Sequence, residues 1–215
     1  MKTICCGPVT TKGIDMYQGD LIANVTLLKP GGIQFAFLKV FEYVEDTRFA
    51  SRWASMQKNG ILRGAYDFFH PEEDPVEQAV QTVQMVGTLG AVDMIWLDWE
   101  STGGVAGPQL AANAKAWLNT VWKATGKKPG IYGSPYNLES WTGGDPFFGQ
   151  FINWIAHYGV KCPLVPSSWN SLNFWQTTGG ASVAGMAGPC DTDVFNGTLD
   201  ELTALLKAQN VPYTA

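Results

Sequence analysis

The chain has 215 residues, 46% hydrophobic and 15% charged, a composition that builds a core and excludes a disordered chain. Folding at this length buries about 70% of the unfolded surface, so neither a metal nor a disulfide framework is needed for stability. Fourteen Lys plus Arg against nineteen Asp plus Glu give a net charge of −5, with no basic run to neutralise the phosphates of nucleic acid.

In chain order, the apolar patterns predict strands at Gly13–Tyr17 and Ile33–Val40, then a helix over roughly Asp46–Asn59 and a strand at Leu62–Phe69. A helix follows Asp74, with Pro75 in its first turn, Glu77 three residues past the cap, and Val76, Val80, Val83 and Val86 recurring on one face. Next come a strand at Val92–Trp99 and a helix opened by Pro108. That helix carries Leu110, Ala114, Trp117, Leu118 and Val121 and stops at Gly126. Strands are then predicted at Gly130–Gly133, Asn153–His157 and Ser171–Gln176. A Thr198-x-x-Glu201 capping box starts the last helix, with Leu199, Leu202, Leu205 and Leu206 facing inward.

Strands alternating with helices indicate parallel β/α units. Seven or eight of them fit an α/β chain of this length as a small, irregular TIM-like (β/α) barrel, poor in helix in its Gly- and Trp-rich C-terminal third. Residues 1–12 read as an N-terminal extension and 13–210 as one barrel domain, with no linker, repeat or low-complexity tract. No apolar run approaches the roughly 20 residues of a membrane span. The opening MKTICCGPVTTKG also lacks the apolar stretch of a signal peptide. Cys5, Cys6, Cys162 and Cys190 form no CxxC pair and have no nearby His ladder, which disfavours zinc. Without a signal, reduced thiols are expected, with a Cys162–Cys190 disulfide as the alternative.

In such barrels the chemistry sits at the C-terminal strand ends, and here the carboxylates collect at those ends. Asp15, Glu42, Asp98 with Glu100, and Asp191 all fall there or in the loops just beyond. Alternation along a strand points Asp98 and Glu100 the same way, about 6.6 Å apart at Cα, while Leu97 and Trp99 point the other. Two adjacent carboxylates cannot both ionise cheaply, so one is pushed upward, and a protonated acid beside an ionised one is the apparatus of glycosidic cleavage. Tyr17, Tyr66, Phe68, Trp99, Tyr132, Tyr136, Tyr158 and Trp175 punctuate the same ends as candidate platforms for sugar rings. No Gly-x-Ser-x-Gly elbow or phosphate-binding Gly-rich loop is present, which removes serine hydrolases and nucleotide enzymes.

Eight blocks, in order, resemble the glycoside hydrolase family 25 lysozymes, the Chalaropsis-type muramidases. They are Gly13-Ile-Asp-Met-Tyr-Gln-Gly19, Phe35-Ala-Phe-Leu-Lys39, Gly64-Ala-Tyr-Asp-Phe-Phe-His-Pro71 and Leu97-Asp-Trp-Glu100, then Gly130-Ile-Tyr-Gly133, Trp154-Ile-Ala-His-Tyr158, Phe174-Trp-Gln176 and Asp191-Thr-Asp-Val-Phe-Asn-Gly197. The resemblance implies a flattened barrel that cleaves the β-1,4 bond between N-acetylmuramic acid and N-acetylglucosamine without metal or cofactor. By position it makes Glu100 the general acid and Asp98 its carboxylate partner. Asp15 and Asp191 complete the acidic floor, and Asp193 is the weaker candidate there because family members often carry Asn. Tyr66, Phe68, Tyr132, Tyr158, Trp175, Lys39 and Glu42 are the expected substrate-side residues, with Glu42 raising the pKa of Glu100 further.

Two departures bear on substrate contacts: Asp67 stands where members commonly carry His, and Lys39-Val40-Phe41-Glu42 replaces an Arg-Ala-Thr-like strand end. The implied partner is bacterial peptidoglycan, attacked by a monomer with no separate wall-binding domain. An endolysin waiting in the host cytoplasm and a secreted mature chain are both compatible settings. The rival functions are a carbohydrate-binding barrel without activity and a glycosidase for chitin-like polymers.

Overall fold

A computed structural model describes residues 1–214. Its strands are β1 (Lys2–Thr3), β2 (Thr11–Met16), β3 (Ile33–Glu42), β4 (Val44–Glu45), β5 (Leu62–Phe68), β6 (Met94–Asp98), β7 (Gly130–Gly133), β8 (Ile152–Ala156), β9 (Leu164–Val165), β10 (Phe174–Ala181) and β11 (Cys190–Phe195). Its helices are α1 (Phe49–Lys58), α2 (Pro75–Val86), α3 (Pro108–Thr125), α4 (Pro135–Thr142) and α5 (Leu199–Ala208). The predicted strands and helices all form. The first strand starts at Thr11, two residues before the predicted Gly13.

The sheet runs β2-β11-β10-β8-β7-β6-β5-β3 and closes through β2–β3, giving a ring of eight strands, with β4 folded back on β3 as a short hairpin. Every neighbour from β2 through β3 round to β10 is parallel, while β11 runs antiparallel to both β10 and β2. This is the irregular barrel that the alternation predicted. Strand β11 and helix α4 were not foreseen. The alternating acids of Cys-Asp-Thr-Asp-Val-Phe mask a strand, and α4 is only eight residues long, held by Ser134 capping Asn137 N and Pro135 in the first turn. Residues 143–198 contain no α-helix, which makes the closing third of the ring loop-connected.

Alternation divides the buried residues into two cores. Phe35, Phe37, Trp96, Trp154, Phe174 and Phe195 point inside and plug the ring. Ile14, Leu38, Ala65, Leu97, Ile131 and Ile155 point outward and pack beneath the helices. Most strands are thus buried on both faces, which is why they read as nearly continuous apolar runs. The helices dock by fewer contacts than their patterns implied. On α2, Val86 is buried while Val76 and Val80 are 46% and 39% exposed; the buried face is instead Gln78, Ala79 and Thr82. On α5, Leu202 and Leu206 are buried and Leu199 faces solvent. No described helix is long and apolar enough to cross a membrane.

The cysteine expectation is overturned. Cys5 and Cys162 form a disulfide across 157 residues, while Cys6 and the buried Cys190 are free. The cause is spatial: β1 pairs antiparallel with β9, Lys2 opposite Val165, laying the N-terminal segment beside the loop that holds Cys162. Spacing in the sequence carries no trace of that neighbour, and connectivity cannot be deduced from it.

Glycine at two inward positions makes room for the plug. An added Cβ at Gly130 would sit 2.2 Å from the Trp96 ring, and one at Gly13 would sit 2.2 Å from the Phe35 ring. Gly130→Ala is therefore expected to destabilise the fold by about 1–3 kcal/mol, through strain in a filled interior. Urea unfolding measures it, and an unshifted midpoint would show that Trp96 yields at no cost.

Candidate active site

The ring's inward residues change character at the C-terminal end of the parallel strands. Above the aromatic plug stand Asp15 on β2, Lys39 on β3, Tyr66 and Phe68 on β5, Asp98 on β6, Tyr132 on β7, Trp154 on β8, Gln176 on β10 and Asp191 on β11. With Tyr17 and Glu100, just past their strands, they line a cavity of about 200 Å³. Hollows of about 520 Å³ beside α1 and about 500 Å³ beside Trp141 hold no carboxylate, and one of about 290 Å³ has Asp193 as its single acid, whereas four acids converge on the barrel mouth.

Asp98 is 3% exposed, whereas Glu100 stands at the rim in contact with solvent. The charges of the two carboxyls act on each other, so the pair does not ionise as two independent acids. Burial pushes Asp98 well above the carboxylate range, and the negative charge of Glu100 adds to it. Glu100 is also raised by burial; its hydrogen bond to Asp98 and the charge of Lys39 oppose that rise, and Glu42 adds to it. Lys39 is the one cation lining the cavity among the described residues. Its Nζ lies 2.5 Å from Glu42 Oε2 and 4.9 Å from the centre of the Phe68 ring.

The opposite wall is a second acidic group. The antiparallel register sets Asp191 across from Asp15 and Asp193 across from Gly13, one layer deeper. Asp193 accepts from Trp154 Nε1 at 2.7 Å and is pushed up to about 8, chiefly by burial. Asp15 is driven well upward by burial, then by the charges of Asp193 and Asp191. Asp191 is half-buried and raised to about 6, by burial first and then by Asp20 and Glu100. Gln176 Nε2 donates to Asp15 Oδ2 at 2.6 Å, and Gln176 Oε1 accepts from the hydroxyls of Tyr132 and Tyr158.

An acidic, aromatic mouth on a closed β/α ring is suited to bonds between sugars, and the pattern for glycosyl hydrolases family 25 matches residues 14–186. The chain belongs to that family. Protein YegX of Escherichia coli strain K12 is 36% identical over 191 residues, covering 85% of this family 25 hydrolase and 67% of YegX. Lysozyme M1 of Streptomyces globisporus is 29% identical over 220 residues, covering 93% and 73% of the two chains. The crystal structure of a bacterial lysozyme from Streptomyces coelicolor superposes with a TM-score of 0.88 at 26% identity, over 94% of this chain and 100% of that one.

The family 25 hydrolase brings together Asp15, Lys39, Tyr66, Phe68, Asp98, Glu100, Tyr132 and Asp191 from the residues anticipated in sequence. Of the two late acids, Asp191 lines the cavity and Asp193 lies beneath it. Trp175 does not belong to the cleft: strand alternation turns it away from Gln176, and its Nε1 donates to His157 O at 2.8 Å. Trp99 is likewise outward, packed 5.3 Å from Trp141. Glu42 and Tyr158 touch lining residues without lining the cavity themselves, and Tyr136 stands exposed beside His157. Trp154 and Gln176 were missed as site residues, although each shares inward parity with the apolar residue two places before it.

Asp67 also faces outward, so it is not a substrate contact. It is fully buried against α3, accepts from Trp117 Nε1 at 2.8 Å, and is pushed up to about 7, mainly by burial. Unfolded, the same acid titrates at about 4. Between about pH 4 and 7 the folded state therefore binds more protons, and its stability falls as pH rises through that window. Asp67→Asn keeps an acceptor for Trp117 and should flatten that part of the slope. Urea unfolding at intervals across the window checks it, and identical slopes in parent and variant would contradict it.

Proposed function

We propose that this chain is a muramidase that hydrolyses the β-1,4 bond between N-acetylmuramic acid and N-acetylglucosamine in bacterial peptidoglycan, with Glu100 as general acid and Asp98 as its partner. The observation that carries this is that Asp98 and Glu100 line one cavity together, half sunk in a barrel mouth lined by aromatic rings. Membership of family 25 and the similarity to named lysozymes support the substrate class.

Glu100 sits at the accessible rim, where it gives its proton to the departing glycosidic oxygen. Asp98, held underneath with little water, keeps a proton more strongly than Glu100 in the free site. In the reacting complex the proton must sit on Glu100, leaving the Asp98 charge to offset the oxocarbenium-like carbon. Lys39 keeps the crowded carboxylates from all becoming neutral, because its charge favours their ionised forms. Tyr17, Tyr66 and Phe68 present ring faces and edges to sugars, and Asp15 and Asp191 accept from sugar hydroxyls on the far wall. The cleft is formed by one chain, which supports action as a monomer. The Cys5–Cys162 disulfide supports work in an oxidising compartment rather than in a reducing cytoplasm.

Glu100→Gln removes the transferable proton while keeping size and most polar contacts. The expected loss in rate of clearing purified peptidoglycan is about 10²–10⁴-fold. Mass spectrometry of wild-type products should find muramic acid at the new reducing end. Chitin should remain uncut. Clearing by the variant at the wild-type rate would remove Glu100 from the acid role, and N-acetylglucosamine at the new reducing end would refute the bond assignment.

A further inference from the structure

Gln176 is 2% exposed and spends its whole hydrogen-bonding capacity on the site. Its Nε2 donates to Asp15 Oδ2 at 2.6 Å and, more loosely, to Asp191 Oδ2 at 3.4 Å. Its Oε1 accepts from Tyr132 OH at 2.7 Å and Tyr158 OH at 2.5 Å. An amide has two N–H donors and a carbonyl oxygen with two lone pairs, so all four are committed. This orientation sets the N–H groups on Asp15 and Asp191 and the carbonyl oxygen on the two tyrosine hydroxyls.

This arrangement fixes where hydrogens lie around the cleft. Each tyrosine has a single hydroxyl hydrogen, and Gln176 takes both, leaving the two oxygens to face outward as acceptors. Asp15 is likewise held as an acceptor. We propose that Gln176 is a positioning residue that sets the hydrogen-bond polarity of this wall, so that it accepts from the hydroxyl and amide N–H groups of an N-acetylated sugar chain and donates nothing to it. The proposal rests on the muramidase reading and adds to it how that substrate's donors are distinguished from its acceptors.

The substitution Gln176→Glu tests the polarity directly. When protonated, the introduced carboxyl reproduces the essential pattern, its carbonyl accepting from the tyrosines and its hydroxyl donating to Asp15. When ionised, it has no donor, and it faces Asp15 from β2, Asp191 and Asp193 from β11, and the hydroxyls of Tyr132 and Tyr158, with Asp98, Glu100 and Lys39 across the cavity. Gln176→Glu is thus expected to approach wild-type kcat at the acid end of about pH 4 to 8 and to fall at least roughly 10-fold further than wild type as pH rises. Gln176→Met, of similar size but unable to bond, should lose about 10- to 100-fold in kcat at every pH, with no acid recovery.

Both variants are assayed on purified peptidoglycan beside wild type, with thermal unfolding recorded at each pH. Acid recovery of Gln176→Glu without a matching change in its unfolding temperature supports the proposal. A pH profile parallel to wild type, or recovery that only tracks folding, overturns it. Should Gln176→Glu fail to fold, Gln176→Met decides: lost kcat in a folded protein supports the role, and retained kcat overturns it. Wild type inactive on peptidoglycan at every pH would instead sink the muramidase reading itself.

Discussion

A closed ring of eight strands sends every second side chain inward, and this ring fills its inside with aromatic rings. Trp96 packs between Phe37 and Phe174 with ring centres 4.8 and 5.2 Å away, and Trp154 lies 4.6 Å from Phe37. The plug leaves no path for water from below. Inward polar residues collect in the last layer, where the mouth opens, with Asp193 one layer below it. The same rings that exclude water there make ionisation costly, so the acids resting on them hold protons that exposed acids would lose.

The two acidic groups at the mouth use this in different ways. Asp98 and Glu100 straddle the boundary between plug and solvent, Asp98 buried and Glu100 exposed at the rim. Asp15 and Asp193 lie almost wholly buried, and their polar partners are Gln176 and the Trp154 indole. A proton on Asp193, which lies beneath the cavity, has no route out, so it serves to reduce charge and fix geometry. Lys39 stands between these extremes, tethered to Glu42 and set over Phe68, where a cation moderates the field of several carboxylates without neutralising any one of them.

The legible part of the fold was the part with strong local signals. Parallel strands buried on both faces write themselves as apolar runs, and Asp74 and Thr198 cap their helices by side-chain bonds to nearby backbone. Alternation also carried the pair at Asp98 and Glu100, because its period survives one residue past the strand end: Trp99 N still bonds Tyr132 O at 3.0 Å. What escaped depended on distant partners. Cys5 meets Cys162 only because the first strand lies along the ninth, and Val76 and Val80 are exposed because α2 docks by Ala79 and Thr82 instead. Trp175 reads as a platform by composition, yet its parity opposes that of Gln176, the residue that reaches the acids.

Strand β11 shows why one irregular element can matter more than seven regular ones. A parallel strand in its place would bring its C-terminal end to the mouth and its N-terminal end to the closed side. Because it runs antiparallel, its first residues meet the last residues of β2, and the pairing of Asp191 with Asp15 follows from that direction alone. The bulged register against β10 then lets Gln176 pair opposite Asp193 while its amide reaches both Asp15 and Asp191. The connection between β10 and β11, residues 182–189, is short and carries no helix. The reversal of a single strand thus supplies one carboxylate of the cleft and sets it beside the amide that reaches Asp15.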